Sequence, residues 1–373
     1  MKNASPHKAS ARPAAATADR RTAASQRSRA ARLRKLRRRR RIRNTILLLL
    51  LFVLLIGGGC FLIYTLKGGG LSAPVLAYSS SNEFQGGLSS GDDQTAVPFA
   101  SDLCVVEGDV PLENVSLEEG QKGLLLNIDK QEVLYANGAF DRVYPASITK
   151  IMTAILAIRY GHLDEMVTVS QENVTMEEGS QMCGFMAGDQ LTMDQLIHCL
   201  LVYSGNDAAA AIAEHVAGST EAFVEMMNSY AAELGCTGTH FTNPHGLQDE
   251  NHYTTPYDIY LMLKEALTYS SFTEITQMPS YTVEFQRADG SAMSITLEAT
   301  DQYLTGESTP PKDVTVLAGK TGTTSSAGNC LALLSQNGYG QPFVSIVTGA
   351  SSKELLYQQM NALLSYINTD VQS

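Results

Sequence analysis

Three short patterns lie in a fixed order along the chain: Ser147-Ile148-Thr149-Lys150, then Ser204-Gly205-Asn206, then Lys320-Thr321-Gly322. Their residue types suit acyl transfer from a serine. A serine hydroxyl is a weak nucleophile until a neighbouring base takes its proton. Residues three apart on a helix share a face, so Lys150 can reach the Ser147 hydroxyl. A lysine normally holds its proton too tightly for that task, but burial and a nearby cation lower its pKa, and Lys320 could supply the cation. A serine at a helix N-terminus also has free backbone N–H groups beside it, which favour a developing oxyanion.

In the same reading the Ser204 hydroxyl carries a proton between Lys150 and the leaving group, and Asn206 donates to a substrate amide carbonyl. Asn206 or Asp207 is also expected to cap the helix that runs into Ala208–Ala211. Lys320 offers a positive charge for a substrate carboxylate, the Thr321 and Thr323 hydroxyls can donate to it, and Gly322 lets backbone approach closely. Taken singly, each pattern has a plainer explanation: a cap serine with a surface lysine, a capping segment, a turn with a solvated lysine. The three in order carry the chemical reading.

Elements to position these residues are legible around them. Gly123–Ile128 and Glu132–Tyr135 flank Asp129-Lys130-Gln131 and read as a hairpin. A helix is expected from Ser147 to about Arg159, ended by Gly161. Helical patterns follow over Met193–Leu201, Asp207–Val216 and Glu221–Leu234. Val314–Ala318, Leu331–Ser335 and Phe343–Thr348 read as strands, with Gly319–Thr323 ending the first, and Glu354–Ile367 as a closing helix. Strands at both ends with helices between predict an α+β fold: one mostly antiparallel sheet flanked by helices, plus a helical lobe. Ligand sites favour such lobe boundaries.

The formal charge of −11 hides an asymmetry. Residues 1–43 hold 16 Lys or Arg and a single acid, Asp19, whereas the remainder is strongly acidic. Thr45–Leu66 is uncharged and long enough to cross a bilayer as a helix. With Arg37–Arg43 directly before it, the expected topology keeps the N-terminus cytoplasmic and puts the chain from Lys67 onward outside the cell. The domains expected are a basic disordered cytoplasmic tail (1–43), a transmembrane helix (45–66) holding the protein in the lipid bilayer, a Gly- and Ser-rich flexible linker (67–109) and a catalytic domain (110–373). A cleavable signal peptide, with Val75-Leu76-Ala77 as its cleavage site, is the alternative. A nucleic-acid tail is the other reading of the basic run, set aside because the run abuts an apolar span; no nucleic-acid partner is expected.

Five cysteines outside the span show no CxxC spacing and read as small buried apolar residues; one bridge is possible, and the sequence does not choose it. His240, His245 and His252 lack metal-ligand spacing and read as structural or solvated, so neither metal nor cofactor is expected.

Beyond the three patterns, Tyr144–Ala154 resembles the nucleophile segment of serine-type D-Ala-D-Ala carboxypeptidases, the low-molecular-mass penicillin-binding proteins. Ser204–Ala209, Asn243–Leu247, His252–Thr255, and Gly319–Thr323 with Ser326-Ala327-Gly328 resemble further stretches of that family, so the likeness spans about residues 120–367. The resemblance implies a β-lactamase/transpeptidase-like fold. It implies Ser147 as nucleophile, Lys150 as general base, and Ser204 and Asn206 completing proton transfer and substrate binding. Lys320 would assist electrostatically, Thr321 and Thr323 would meet the substrate carboxylate, and the Ser147 and Thr323 N–H groups would form the oxyanion hole. The implied reaction removes the terminal D-Ala of a peptidoglycan stem peptide, with β-lactam antibiotics as covalent inhibitors. A D,D-endopeptidase or transpeptidase, a serine β-lactamase and a non-catalytic penicillin-binding sensor are the other readings. Thr323 stands where many relatives carry an aromatic residue or His, and Leu297–Asp301 stands where the family often has an Asn-rich segment. The chain is expected to lack the C-terminal β-domain and membrane-binding helix of many relatives.

Overall fold

Residues 102–368 are described by a computed structural model, so the expected basic tail, apolar span and most of the linker lie outside the described residues. In chain order the strands are β1 (Lys122–Asn127), β2 (Glu132–Asn137), β3 (Met166–Thr168), β4 (Gln190–Thr192), β5 (Ser280–Gln286), β6 (Ala292–Glu298), β7 (Thr315–Thr324), β8 (Gly328–Gln336) and β9 (Pro342–Ala350). The helices are α1 (Lys150–Tyr160), α2 (Met193–His198), α3 (Asn206–Ala217), α4 (Thr220–Glu233), α5 (Pro256–Ala266), α6 (Ser270–Ile275), α7 (Gln302–Thr305) and α8 (Lys353–Leu364). A 3₁₀ turn, Ala146–Thr149, leads into α1, and a π turn, Cys199–Tyr203, follows α2. None of these helices is long and apolar enough to cross a membrane.

The first sheet has the order β2-β1-β9-β8-β7, with every neighbouring pair antiparallel. Side chains alternate across a strand, so each strand feeds two layers. Leu124 and Leu126 of β1, Cys330, Ala332 and Leu334 of β8, and Val344 and Ile346 of β9 join the large core shared with α1, α3 and α5. Leu125, Leu331, Leu333, Phe343 and Val347 point the other way, into a smaller core closed by Leu356, Met360 and Leu363 of α8. The strands run further than the hydrophobic pattern predicts: β7 continues through Lys320-Thr321-Gly322 to Thr324 instead of ending there. Pairing with β8 across Lys320↔Ala332 and Gly322↔Cys330 sustains it.

A second, four-stranded sheet with the order β3-β4-β5-β6 joins the helical lobe. None of these four strands is among those expected from the sequence, which assigns no element to residues 280–298. On β5 only Val283 and Phe285 are buried, and the strand's other residues are polar or partly exposed. Its turn nonetheless carries an Asp289-Gly290 pair with Gly290 at φ +81°, a hairpin signal in the sequence. At the other end of the domain, Cys104 and Val106, inside the expected linker, are buried in the large core. All five cysteines described are buried free thiols.

α1 carries the first chemical pattern into the centre of the large core. Its residues from Lys150 to Ala157 are buried, and it packs against α3 and α5. Ile155, with no exposed surface, is the checkable anchor: Ile155→Ala should lower unfolding free energy by about 2–5 kcal/mol, read as a fall in the urea midpoint with an unchanged slope.

Candidate active site

The Ser147 hydroxyl is presented by a strained turn. Ala146, directly before it, has φ +47°, a conformation unusual for a residue with a Cβ. Two glycines hold the turn. Gly246, at φ +90°, packs so closely that a Cβ there would sit 1.9 Å from the Ala146 carbonyl oxygen. On the other side, a Cβ on Gly322 would meet Pro145 O and Ser147 N at 3.0 Å. The Gly246 loop is itself fixed: Asn243 Oδ1 accepts the Gly246 N–H at 2.7 Å, and Asn243 Nδ2 donates to Leu247 O at 3.0 Å. His252 braces the turn from below. Its Nδ1 accepts the Thr242 N–H at 3.0 Å, so Nε2 carries the proton and donates to Thr149 Oγ1 at 2.8 Å. Burial lowers the pKa of His252 to about 4 and that of His245 to about 3, so both rings are neutral near pH 7. The sequence marked these loops without giving them a task; their task is to hold the serine's peptide.

Lys150 lies three residues on and has no exposed surface. Its Nζ donates to Ser147 Oγ at 2.9 Å, to Asn206 Oδ1 at 2.7 Å and to His245 O at 2.7 Å, which uses all three ammonium hydrogens. Burial pushes its pKa well below the ordinary lysine value, and the Lys320 cation lowers it further. Because Asn206 faces Lys150 with its oxygen, its amide NH₂ is left to donate elsewhere.

Ser204 ends the π turn at φ +69°, a second left-handed non-glycine. Its hydroxyl accepts from Lys320 Nζ at 3.0 Å, so the hydrogen bond ties it to the third pattern and not to Lys150. Gly205 occupies the middle of its pattern for a packing reason: a Cβ there would lie 2.2 Å from the Cys183 sulfur and 2.9 Å from Asp207 Oδ1. The expected caps are not made, since α3 begins without a side-chain cap. Asp207 instead turns its carboxylate to the N–H groups of Cys183 and Gly184, at 3.0 and 3.1 Å, and Asn206 N–H donates to Gln181 O at 2.8 Å. Tethering residues 181–185 outcompeted capping.

Lys320 is also buried, with Nζ donating to Ser204 Oγ and, at 3.0 Å, to Thr321 O. Burial lowers its pKa to about 7 against the pull of Asp301. Its charge therefore sits behind the wall of a cleft of about 200 Å³, not out in it. The cleft is lined by Ser147, Ser204, Thr321, Gly322 and Thr323, together with residues that no pattern marked: Gln181, Thr300, Asn329, Lys353 and Tyr357. Thr300 bonds the Thr321 hydroxyl, and Thr323 Oγ1 donates to Asn329 Oδ1 at 3.1 Å, so both threonines are oriented. Only the β7–β8 register, which pairs Thr323 with Asn329, could have signalled the second contact. Among the described residues no group of three His, Cys, Asp or Glu is placed to hold a metal ion. The arrangement can activate a serine with a buried amine and stabilise negative charge between backbone N–H groups.

A family profile described as D-alanyl-D-alanine carboxypeptidase matches residues 117–352. The chain is 33% identical over 253 residues to the D-alanyl-D-alanine carboxypeptidase DacF of Bacillus subtilis, covering 66% of this chain and 62% of that protein. It is 29% identical to DacC of Escherichia coli, covering 65% and 60%. The match thus spans less than two thirds of these curated relatives. Among solved structures, the Streptomyces K15 DD-transpeptidase superposes with a TM-score of 0.60 at 27% identity, over 65% of this chain and 95% of that one. A D-alanyl-D-alanine carboxypeptidase from Mycobacterium tuberculosis gives 0.59 at 27% identity, over 70% and 94%. The fold is the β-lactamase/transpeptidase-like one.

The Cys183–Gly205 contact yields a test by double-mutant cycle. Gly205→Ala should destabilise the protein by more than about 1 kcal/mol, because overpacking of this kind costs about 1–3 kcal/mol. In a Cys183→Ala background the same change should cost measurably less. Equal losses in both backgrounds, from chemical denaturation, would show that the sulfur does not set the identity of residue 205.

Proposed function

Because this chain belongs to the D-alanyl-D-alanine carboxypeptidase family, we propose that it is a serine D,D-carboxypeptidase that removes the terminal D-Ala from peptidoglycan stem peptides. The observation that carries the reading is the buried Lys150 amine 2.9 Å from Ser147 Oγ, its pKa depressed by burial. Neutral Lys150 takes the Ser147 proton as Oγ attacks the carbonyl of the penultimate D-Ala. The oxyanion is held by the N–H groups of Ser147 and Thr323. β7 ends its sheet, so its free edge pairs with the extended stem peptide, and the Asn206 amide donates to a substrate carbonyl. Thr321 and Thr323 meet the terminal carboxylate with the Lys320 charge behind them. The proton taken by Lys150 is handed on through the Ser204 hydroxyl, which gives its own proton to the leaving D-Ala amine and regains one from Lys150, while Lys320 holds that hydroxyl in place. The C–N bond breaks, D-Ala leaves, and water resolves the ester on Ser147. β-Lactam antibiotics acylate Ser147 as substrate mimics.

We further propose that residues 45–66 span the bilayer once, with the N-terminus cytoplasmic and the domain acting outside the cell. Span length and the preceding arginines support this.

D-alanine release from a synthetic stem pentapeptide is the direct test. The chain should release it and Ser147→Ala should not. Lys150→Arg, which keeps its proton at all working pH values, should lower kcat/KM by about 10²–10⁴-fold. Rapid turnover of penicillin with no D-alanine release would instead favour a β-lactamase. The pH profile of kcat/KM should be a bell. It rises as Lys150 loses its proton, and it falls as pH passes about 7, where Lys320 becomes neutral. An activity that keeps rising through this range would remove the need for a charged Lys320.

A further inference from the structure

The acyl-transfer chemistry read above leaves one buried charge without a task. Asp301, 7% exposed, lines the same narrow cavity as Lys320, whose walls also include Val202, Thr300 and Thr321. Its carboxylate is aimed by two elements. Oδ1 accepts the Tyr303 N–H of α7 at 3.0 Å and the Tyr357 hydroxyl of α8 at 3.1 Å. The Tyr357 oxygen already accepts the Gln302 N–H at 2.8 Å, so its own hydrogen is committed to Asp301. Next to it, Thr300 N–H donates to Val202 O of the π turn at 3.2 Å, and the Thr300 hydroxyl bonds Thr321. One short segment thus joins the turn carrying Ser204 to the strand carrying Lys320.

We propose that Asp301 is a positioning residue for the acyl-transfer site, its carboxylate serving as the counter-charge that keeps Lys320 a cation beneath Ser204. The inference rests on the reading of Lys320 as part of that site. Lys320 and the buried Lys150 lie close enough to repel each other. The charged and titratable groups acting on Lys320 are Lys150 from α1 and Asp301 ahead of α7, with the Ser204 hydroxyl of the π turn bonded to it; Tyr303 and Tyr357 act on Asp301. Asp301 is the anion among them. It raises the pKa of Lys320 and has no such effect on Lys150, which Asp207 supports more weakly than burial and Lys320 depress it. The carboxylate therefore biases the shared proton toward Lys320 and leaves Lys150 free to accept one from Ser147. Burial raises the Asp301 pKa; the Tyr303 N–H, the Tyr357 hydroxyl and Lys320 oppose that rise.

Asp301 also caps α7, so the test must separate charge from cap. Asp301→Asn keeps the Oδ1 acceptor and is an equally good cap, but it has no charge. With lysine Cε carbons labelled in the full chain and Lys320 assigned by its loss in Lys320→Arg, the Lys320 titration can be read by NMR. The wild-type midpoint should lie at about 7. In Asp301→Asn it should fall by about one pH unit or more, a tenfold loss of proton affinity, and in Asp301→Glu it should return toward the wild-type value. Tyr357→Phe, which removes a donor to the carboxylate, should move it the same way by less, and decides the matter if Asp301→Asn does not fold. An unmoved midpoint in the folded variants overturns the proposal. The alkaline limb of kcat/KM should follow the midpoint downward. If the wild type releases no D-alanine, the functional reading fails, while the titration still decides the coupling.

Discussion

A lysine ammonium with no contact to water must find three acceptors or give up its charge, and Lys150 finds them on three distant segments: Ser147 beside it, Asn206 at the start of α3 and His245 on the Gly246 loop. That requirement shapes the site. α1 cannot bury Lys150 unless α3 and the 243–247 loop close around it, and closing them brings the Ser147 turn, the Asn206 amide and the cleft into one place. Lys320 repeats the arrangement from the sheet side, binding Ser204 and its own strand's Thr321 carbonyl. The helical lobe and the sheet thus meet around two buried lysine amines, and Ser204 of the π turn supplies an acceptor that Lys320 lacks on its own strand.

Close packing then stores strain where the chemistry needs it. Ala146 and Ser204 both adopt left-handed backbone, each next to or at a reacting hydroxyl. Such residues persist only where neighbours over-determine them. For Ala146 the neighbours are Gly246 and Gly322, which can approach the 146–147 peptide only because they lack a Cβ. For Ser204 they are the π turn before it and Gly205 after it, with the Cys183 sulfur occupying the space a side chain at 205 would need. The Ser147 peptide is thereby held in one orientation by packing alone, the preorganisation that the proposed oxyanion site requires.

Much of this was legible in the sequence, and the parts that were not share a physical cause. The β1–β2 hairpin, α1 and the strands around Lys320 announce themselves because each buries one clean face or run. The three patterns name Ser147, Lys150, Ser204, Asn206 and Lys320 because each pattern lies within about one turn of chain, where spacing in sequence is spacing in space. The second sheet went unread because β5 buries only Val283 and Phe285, although its Asp289-Gly290 turn was present in the chain. The Ser204–Lys320 hydrogen bond is unreadable for a different reason: Lys320 lies 116 residues away, and only the tertiary fold decides which lysine a hydroxyl meets. Asn329, Thr300 and Tyr357 were invisible on the same ground. Each orients a group in another element, and nothing in its own neighbourhood requires it.

Two like charges confined to one dry volume cannot both keep their protons cheaply, and identical side chains give no reason for either to yield. The asymmetry has to come from surroundings. Lys150 is flanked by neutral acceptors, an amide oxygen and a backbone carbonyl, which leave burial and its neighbour's charge to depress it. Lys320 faces a carboxylate whose position is set by Tyr303 and Tyr357, far from the reacting serine in sequence. The proton is thereby sorted by second partners and not by the lysines themselves. Lys150 and Lys320 can then serve as base and as fixed charge at the same pH, although the two side chains are chemically the same.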